Sequence, residues 1–287
     1  MADEREQGAG KQDLAERVQR AFQAVREKDL GPVSGLQALG LAVVPLLPPY
    51  LEDASEDVRR EAVSLLAVAD GKGALPLLVR ALADTSPDIR ERAALALYER
   101  YEPAQLAAHA GACKALAALA AGDNPSAAAL LLLAYCPGPE TERVLRAVAA
   151  QTPAPPVRLF PWSAPVMASL PARVALARLG DREAQLALSQ AVAEDTPAEL
   201  EFLLAALREI EAPTVLRALT GVLADTRKAA TVAHSGAVPQ HRLCDVAVNA
   251  FVRRFSLKIG FELSEVLPYS VDQLDDVRRR VDAAIPR

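Results

Sequence analysis

The sequence predicts an all-α fold, a right-handed α-solenoid of helical hairpins with a period of about 31 residues and a capping helix at each end. Three observations support this prediction. One segment repeats itself, apolar residues recur at helical spacing, and the composition combines 51% hydrophobic residues with only 4% aromatic residues. Small apolar side chains allow helices to pack closely in stacked repeats, where each unit contacts its neighbours.

The repeat becomes visible when the sequence is shifted by 31 residues. Pro45-Leu46-Leu47 then lies on Pro76-Leu77-Leu78, and ten positions are identical within the 22 residues 45–66. A fixed period of this size indicates stacked supersecondary units. The remaining identities pair Leu51, Asp53, Ser55, Asp57, Arg59, Ala62 and Leu66 with the residues 31 positions later.

Each copy is predicted to contain two amphipathic helices. In the second copy, Leu75, Leu78, Val79 and Leu82 recur at steps of three and four residues, which is typical of a helix with one apolar side. Pro87 is suited to the first turn of the next helix. Since neither helix can bury its apolar side alone, the pairs are expected to stack on one another.

The pattern P-L-L-x3-L-x-D-x3-D-[VI]-R-x2-A, present at 45–62 and 76–93, resembles the HEAT repeat. It is similar in particular to the short bacterial form that includes the repeats of bilin (PBS) lyases. In that family the Asp and the Arg of the motif form a hydrogen-bonded ladder between successive repeats. The resemblance therefore implies a structural ladder at Asp53, Arg59, Asp84 and Arg90.

Changes in composition divide the chain. Thr152-Pro-Ala-Pro-Pro156 and the prolines that follow cannot belong to an uninterrupted helix. Ser270 with Gln273 has the pattern of a capping box, which indicates a helix start. The expected organisation is a disordered tail at 1–11, HEAT-like repeats at 12–151, a Pro-rich connector at 152–171, and further HEAT-like repeats at 172–287 with an inserted loop at 226–241 and a capping helix at 270–285.

The hairpin that begins near Pro213 is interrupted. Sixteen residues separate Asp225 from Arg242, whereas three residues separate the corresponding aspartates of the two clear copies. Insertions in repeat proteins often lie on the binding face. We therefore expect the inserted loop and the helix after it to contact a partner.

Charge is segregated between neighbouring repeats. Residues 181–211 carry eight carboxylates and two arginines, and residues 226–258 carry six Lys or Arg residues and one Asp. Such patterning controls the choice of partner and the rate of association. The candidate partner-binding residues are Arg227, Lys228, His234, His241, Arg242, Asp245, Asn249 and Arg253, together with Arg60 and Arg92 in the first repeats.

His234, His241, Cys244 and Asp245 are the candidate residues for a metal site. These residue types bind zinc, but their spacing matches no usual structural zinc pattern. The structural interpretation is favoured, with Cys244 inside a helix and Asp245, Asn249 and Arg253 on one polar side of it. No metal, cofactor or small-molecule substrate is expected.

Overall composition favours a soluble protein that binds another protein. The net charge is −5, which argues against nucleic-acid binding, because a basic surface supplies most of that affinity. The longest apolar run, 127–135, is too short to cross a bilayer. The charged N-terminus and the three scattered cysteines are typical of a cytoplasmic protein.

The leading functional hypothesis is a non-catalytic protein-binding solenoid, most specifically a cytoplasmic inhibitor of the immunity type that masks a toxin or effector. This specific form rests on resemblance to stand-alone bacterial HEAT proteins. One alternative is a HEAT-like DNA glycosylase for alkylated bases, for which Trp162, Arg158 and the basic segment 226–258 are the candidate residues. A further alternative is a subunit of the bilin lyase type.

Overall fold

The protein is described from a computed structural model that covers residues 2–69, 71, 73–109, 111–230, 241–264 and 267–286, with side chains from residue 12 onward. The chain forms two compact units, an N-terminal unit (Met1–Leu119) and a C-terminal unit (Ala120–Arg287). The described residues are mostly helical, with one two-stranded hairpin, which is consistent with the predicted all-α class.

In the N-terminal unit, the helices follow the two clear copies of the repeat. Helix α3 packs against α5, and α4 packs against both. The buried apolar positions include Val58 and Ile89, the equivalent first-turn residues of α3 and α5, which are both fully inaccessible to solvent. The helices are α1 (Ala2–Arg26), α2 (Gly31–Ser34), α3 (Glu56–Val68), α4 (Ala74–Ala81), α5 (Pro87–Arg100), α6 (Pro103–Ala107) and α7 (Ala112–Ala120), with 3-10 helices at Gln37–Leu46 and Pro48–Glu52.

Two stretches of this unit differ from the expected pattern. The helix α1 begins at Ala2, so that it includes most of the segment 1–11 expected as a disordered tail. Six of the ten residues 2–11 are Ala, Glu, Gln or Arg, which are strong helix formers. In the first copy of the repeat, the helix expected at Pro45 is replaced by 3-10 helices. Pro45, Pro48 and Pro49 lack the N–H groups that a continuous α-helix would need.

The C-terminal unit contains eight α-helices among its described residues. Helix α10 packs against α8, α9 and α11, while α14 packs against α12 and α15. The elements are α8 (Ala127–Leu132), α9 (Pro139–Ala149), β1 (Pro156–Val157), β2 (Val166–Met167), α10 (Ser169–Arg178), α11 (Arg182–Ala191), α12 (Pro197–Ala205), α13 (Pro213–Thr220), α14 (Leu243–Phe255) and α15 (Val271–Ala284), with 3-10 helices at Leu133–Tyr135, Leu207–Glu209 and Gly221–Ala224.

The Pro-rich connector lies inside the C-terminal unit and forms a short hairpin. Its strands β1 and β2 pair in antiparallel fashion, with Val157 opposite Val166. The last three residues of the expected connector, 169–171, already belong to α10. Pro171 is compatible with this because the N–H of a first-turn residue has no partner within the helix. The boundary between the compact units falls at 119/120, before the predicted connector.

The start of α15 follows a local sequence signal. The Ser270 hydroxyl accepts from the Gln273 N–H at 3.3 Å, and the Gln273 side chain accepts from the Ser270 N–H at 2.8 Å. This is the predicted capping box. Among the described residues, every helix is too short or too polar to span a bilayer.

Candidate functional site

One arginine bridges the turns of the two repeats in the N-terminal unit. The Arg59 guanidinium donates to the two carboxylate oxygens of Asp84 at 2.8 and 3.1 Å. It also donates to the main-chain carbonyl of Asp53 at 2.9 Å. We call this arrangement the ladder contact: one guanidinium joins the carbonyl of one turn aspartate to the carboxylate of the next.

The ladder contact is largely shielded from solvent. The side chains of Arg59 and Asp84 are 13% and 8% exposed. Burial alone would raise the pKa of Asp84, but the hydrogen bonds from Arg59 and from the Ser86 N–H hold that pKa below its ordinary value. The ionised carboxylate is therefore stabilised in the folded chain.

The other two proposed ladder residues make related contacts. Asp53 receives the guanidinium of Arg26, at the end of α1, with 2.5 Å between Nη2 and Oδ2. Arg90 donates to the main-chain carbonyls of Asp84 and Thr85 at 2.8 and 3.1 Å. Each of the four proposed residues therefore takes part in holding a turn of the repeat.

A second charged row runs beside the ladder and includes Arg60 and Arg92. Arg60 Nε lies 3.0 Å from a carboxylate oxygen of Asp88, and Arg60 Nη1 lies 2.6 Å from one of Asp57. Arg92 Nε lies 2.9 Å from the same Asp88 oxygen. Arg60 and Arg92 were predicted to belong to a partner-binding surface, and in the structure their charges are matched by carboxylates of their own unit.

A pocket of about 690 Å³ lies in the C-terminal unit. The connector hairpin, helix α12 and helix α14 form its walls, and Ala229 and His241 of the inserted loop also line it. The acidic segment 181–211 and the basic segment 226–258 therefore both contribute residues to this pocket. The apolar lining residues include Leu159, Phe160, Trp162, Phe202, Leu204, Leu207 and Val246.

The connector supplies an aromatic wall. The rings of Phe160 and Trp162 are stacked, with 5.2 Å between centroids and 3° between planes. Ser163 closes the turn that presents them, since its hydroxyl accepts from the Phe160 N–H at 3.2 Å. Arg158 donates to the Ser163 carbonyl. Trp162 remains 47% exposed.

Positive charge reaches the pocket from two elements. Arg253 and Arg254 lie in the last turn of α14, and Arg208 follows α12. Arg208 Nε lies 2.6 Å from the fully buried Glu209 carboxylate, and Arg254 Nε donates to the Leu207 carbonyl at 3.2 Å. A carbonyl is neutral, so Arg254 keeps its net charge.

Asp245 lines the pocket but is engaged inside the unit. Arg242 donates to both of its carboxylate oxygens at 2.9 and 2.8 Å, and the Tyr269 N–H donates at 3.0 Å. Burial would raise the pKa of Asp245, but these bonds hold it below its ordinary value. Asn249 belongs to the same network, because it donates to the Ser264 carbonyl and accepts from the Tyr269 hydroxyl.

Arg227 makes a second ladder contact from an unexpected position in the chain. Its guanidinium contacts the Asp225 carboxylate at 2.7 Å and donates to the Asp195 carbonyl at 3.1 Å. These are the two groups that Arg59 joins in the N-terminal unit. Glu201 stands at the helical position where the repeat would place an arginine, and it accepts from the Ala230 N–H instead. The start of the inserted loop thus completes the repeat that it interrupts.

The remaining predicted residues are spread over the edge of the loop. Lys228 is exposed, and its main chain bridges that of Arg242. His241 lies at the pocket edge, and its carbonyl accepts from the Ala229 N–H at 2.9 Å. His234 lies outside the described residues. The structure therefore brings His241, Asp245, Asn249 and Arg253 to one pocket.

The cysteines differ from the sequence-based expectation. Cys244 is a free, buried thiol, and burial raises its pKa. Cys113 and Cys136, by contrast, are not free thiols. Cysteine usage therefore does not support the cytoplasmic prediction, which stays a prediction. The carboxylate of Asp245, one of the considered metal ligands, is occupied by Arg242.

Asp195 lies in the turn before α12 and was not among the predicted site residues. Its Oδ2 atom is buried without a hydrogen-bond partner among the described residues. Burial and the nearby Glu199 carboxylate raise the pKa of Asp195 to about 6, opposed by Arg173 and Arg227. The sequence gives one indication that this turn is unusual. Glu201 occupies the helical position where the repeat would place the ladder arginine.

Comparison with known families identifies the repeats. Residues 44–127 match the family model described as HEAT repeats. This segment contains both clear copies of the motif, and it supports a HEAT-repeat protein with a helical scaffold of the kind often used for protein interaction. No curated protein matches the chain.

Proposed function

We propose that this protein is a non-catalytic scaffold that binds another protein through the pocket of its C-terminal unit. The observation that carries the proposal is the lining of that pocket, which combines apolar and aromatic walls with a few charged groups. Binding sites commonly have this composition. The HEAT-repeat match at 44–127 fits a scaffold whose role is protein interaction.

The more specific proposal is an inhibitor of the immunity type, which masks a toxin or effector in the cytoplasm. It is supported by resemblance to HEAT proteins of that kind and by the segregated charge around the pocket. Charged rims accelerate association and select the partner, and both properties serve an inhibitor that must bind before its target acts.

Capture from a lysate of the native host tests the general proposal. The full chain is compared with Ala205→Gln, which places a longer side chain on an exposed pocket position of α12. The matched control is Ala283→Gln on α15, which is exposed and outside the pocket. We expect one protein to be captured by the original chain and by the control, and at least about tenfold less by Ala205→Gln, a loss of about 1.4 kcal/mol. Equal capture by all three would contradict a role for the pocket.

The inhibitor proposal is tested by producing the captured protein in a neutral host. Growth arrest that is relieved by the original chain, and not by Ala205→Gln, is the expected result. Normal growth with the captured protein alone would overturn the inhibitor role while leaving the scaffold role intact.

The glycosylase alternative has one point in its favour, because Trp162 and Asp245 line the same pocket. A base-excising enzyme would need a carboxylate available to the sugar, whereas Asp245 is held by Arg242 and Tyr269. Release of alkylated bases from duplex DNA by the purified chain, abolished by Asp245→Asn, would replace the scaffold proposal with this one.

A further inference from the structure

We infer that Arg90 is a preformed binding position for a carboxylate of a partner protein. It belongs to the N-terminal unit and is separate from the pocket, so the inference goes beyond the proposed function. It follows from a comparison of Arg90 with Arg59, the equivalent residue of the preceding repeat. Both arginines hold their own turn in the same way, but among the described residues only Arg59 also holds a carboxylate.

The two guanidiniums have the same anchorage. Arg59 and Arg90 are each the fourth residue of their helix, α3 and α5 respectively. Nη1 of Arg59 donates to two successive carbonyls of its own turn at 2.9 and 3.3 Å. Nη1 of Arg90 donates to the two equivalent carbonyls at 2.8 and 3.1 Å. The N-cap residues Ser55 and Ser86 also match, with φ/ψ of −77°/122° and −79°/125°.

This anchorage determines where the other N–H groups of the guanidinium point. The group is planar, so that with Nη1 bound to the turn, Nε–H and Nη2–H form a fork that points away from it. In Arg59 the fork donates to the carboxylate of Asp84 at 2.8 and 3.1 Å. Among the described residues the fork of Arg90 contacts no carboxylate, and Arg90 is partly exposed. The chain therefore holds in place a carboxylate-binding group that it does not use.

The next turn of this kind in the sequence lacks the aspartate. Asp84 stands two residues before Ser86, the N-cap of α5. Two residues before Ser126, the N-cap of α8, the sequence has Asn124. A neutral amide offers one acceptor oxygen, whereas a carboxylate offers two, so Asn124 is not a substitute for Asp84. Asp123 is one residue out of register with Asp84 and is exposed.

A carboxylate on a protein is the best match for the fork. Two parallel N–H···O bonds suit a carboxylate or a phosphate. Residues 1–119 carry eighteen Asp or Glu residues against fourteen Lys or Arg residues, and this excess would repel a chain of phosphates more than a single carboxylate. A single solvated ion pair binds weakly. The natural ligand is therefore an Asp or Glu side chain on a larger surface that supplies further contacts.

Acetate is the probe for the fork, because it is the smallest ligand with the proposed chemistry. The full chain is prepared with isotope-labelled arginine, and the Nε–H signals of Arg59 and Arg90 are assigned by through-bond correlation to their backbones. We expect sodium acetate to shift the Arg90 signal at least about twofold more than sodium chloride does at the same ionic strength. The Arg59 signal should shift by less than about half as much as the Arg90 signal, because Asp84 already occupies its fork.

Two results of this titration would overturn the inference. The first is an acetate shift at Arg90 that is no larger than the chloride shift or the shift at Arg59. The second is a larger shift at Arg90 with sodium phosphate than with acetate at the same ionic strength, which would assign the fork to phosphate.

The protein captured from the lysate tests whether the carboxylate belongs to a partner. Arg90→Lys keeps the charge and removes the fork, and it should raise Kd at least about threefold. Arg92→Lys on the same helix is the matched control, because Arg92 Nε is already held by Asp88 at 2.9 Å, and it should leave Kd within about twofold. Urea midpoints of both variants are measured to confirm that they are folded. An equal Kd for Arg90→Lys and the original chain would overturn the inference.

The pocket and the fork fail separately. If Ala205→Gln reduces capture while Arg90→Lys does not change Kd, the inference is wrong and the proposed function stands. If capture does not depend on Ala205, the proposed role of the pocket fails, and the comparison of Arg90→Lys with Arg92→Lys on the captured protein still decides the inference.

Discussion

The substitution Arg59→Ala removes the ladder contact of the N-terminal unit. The guanidinium makes two hydrogen bonds to the Asp84 carboxylate and further bonds to main-chain carbonyls of its own turn. In the variant, Asp84 loses its cation, although the Ser86 N–H still donates to it at 2.8 Å; in the original protein the Asp84 side chain is only 8% exposed. The substitution therefore tests a buried pair rather than a solvated one.

The expected loss of unfolding free energy is about 2–4 kcal/mol. Hydrogen bonds to charged groups contribute about 1.5–3 kcal/mol net, and removing one partner of a buried pair costs about 3–5 kcal/mol. The remaining bond from Ser86 and the slight exposure of Arg59 place the expectation below the upper limit. For a unit of this size, with a urea dependence of about 1–1.5 kcal/mol per M, the midpoint should fall by about 2 M.

The lowered pKa of Asp84 fixes the pH dependence. The pair contributes its full stability above the ordinary carboxyl pKa, and that contribution is lost as the pH falls through the lower folded-state value. The original protein should therefore lose stability steeply below about pH 4. Arg59→Ala should lose less over the same range, because its Asp84 no longer has a depressed pKa.

The two units can be followed separately, because the single Trp of the chain, Trp162, lies in the C-terminal unit. Far-UV circular dichroism reports the helices of both units, and Trp fluorescence reports the C-terminal unit. The dichroism transition should move in Arg59→Ala. Arg92→Ala is the control, since Arg92 is 48% exposed and its pair with Asp88 is worth less than about 1 kcal/mol. Equal midpoints for Arg59→Ala and the original protein would show that the ladder is solvated and would refute the reasoning.

Three further predictions concern the C-terminal unit and are all measured by urea titration with Trp fluorescence. Because the pKa of Asp195 is raised to about 6, the stability of the unit should decline as the pH rises through that value. Asp195→Asn should stabilise the unit by about 1–2 kcal/mol at pH 7, after allowance for solvent, and by almost nothing at pH 4. A gain at pH 4 equal to that at pH 7 would exclude titration as the cause. Arg227→Ala should lower the stability of the unit by about 1 kcal/mol. Arg227→Lys should recover less than half of that loss, because an ammonium cannot bridge both the Asp225 carboxylate and the Asp195 carbonyl. Full recovery by Arg227→Lys would contradict this explanation. Ser270→Ala should cost about 1 kcal/mol through loss of the capping box at α15, and Ser270→Asp should retain most of the stability; a neutral Ser270→Ala would mean that the helix end is held by packing alone.

The all-α class and the helical hairpins could be predicted because they depend on local signals. The apolar spacing of Leu75, Leu78 and Val79 and the start at Pro87 specify α4 and α5 without reference to distant residues. The replacement of the first helix by 3-10 helices was missed because the repeat pattern outweighed the effect of Pro45, Pro48 and Pro49. Neighbouring prolines remove successive donors, whatever the family pattern suggests.

The candidate site was predicted only in part. The spacing of Asp245, Asn249 and Arg253 placed them on one side of a helix, and they do line one pocket. The opposite wall, with Trp162, comes from a connector more than eighty residues earlier in the chain, and no local pattern links the two. Arg242 was interpreted as a binding residue because its sequence position does not reveal that Asp245 and the Tyr269 carbonyl bind its guanidinium.

The position of Arg227 bears on how such chains diverge. In the N-terminal unit the bridging guanidinium belongs to a helix, whereas beside Asp225 it is supplied by the residue that opens an insertion. In both places a guanidinium joins the same two groups, a main-chain carbonyl and a carboxylate. The arginine that supplies the guanidinium can come from a different position in the chain. Sequence similarity to the HEAT model ends at residue 127, yet the same junction is made between Asp195 and Asp225. An insertion that brings its own arginine can therefore replace the helical one, and the interrupted repeat keeps its geometry while its sequence drifts beyond recognition.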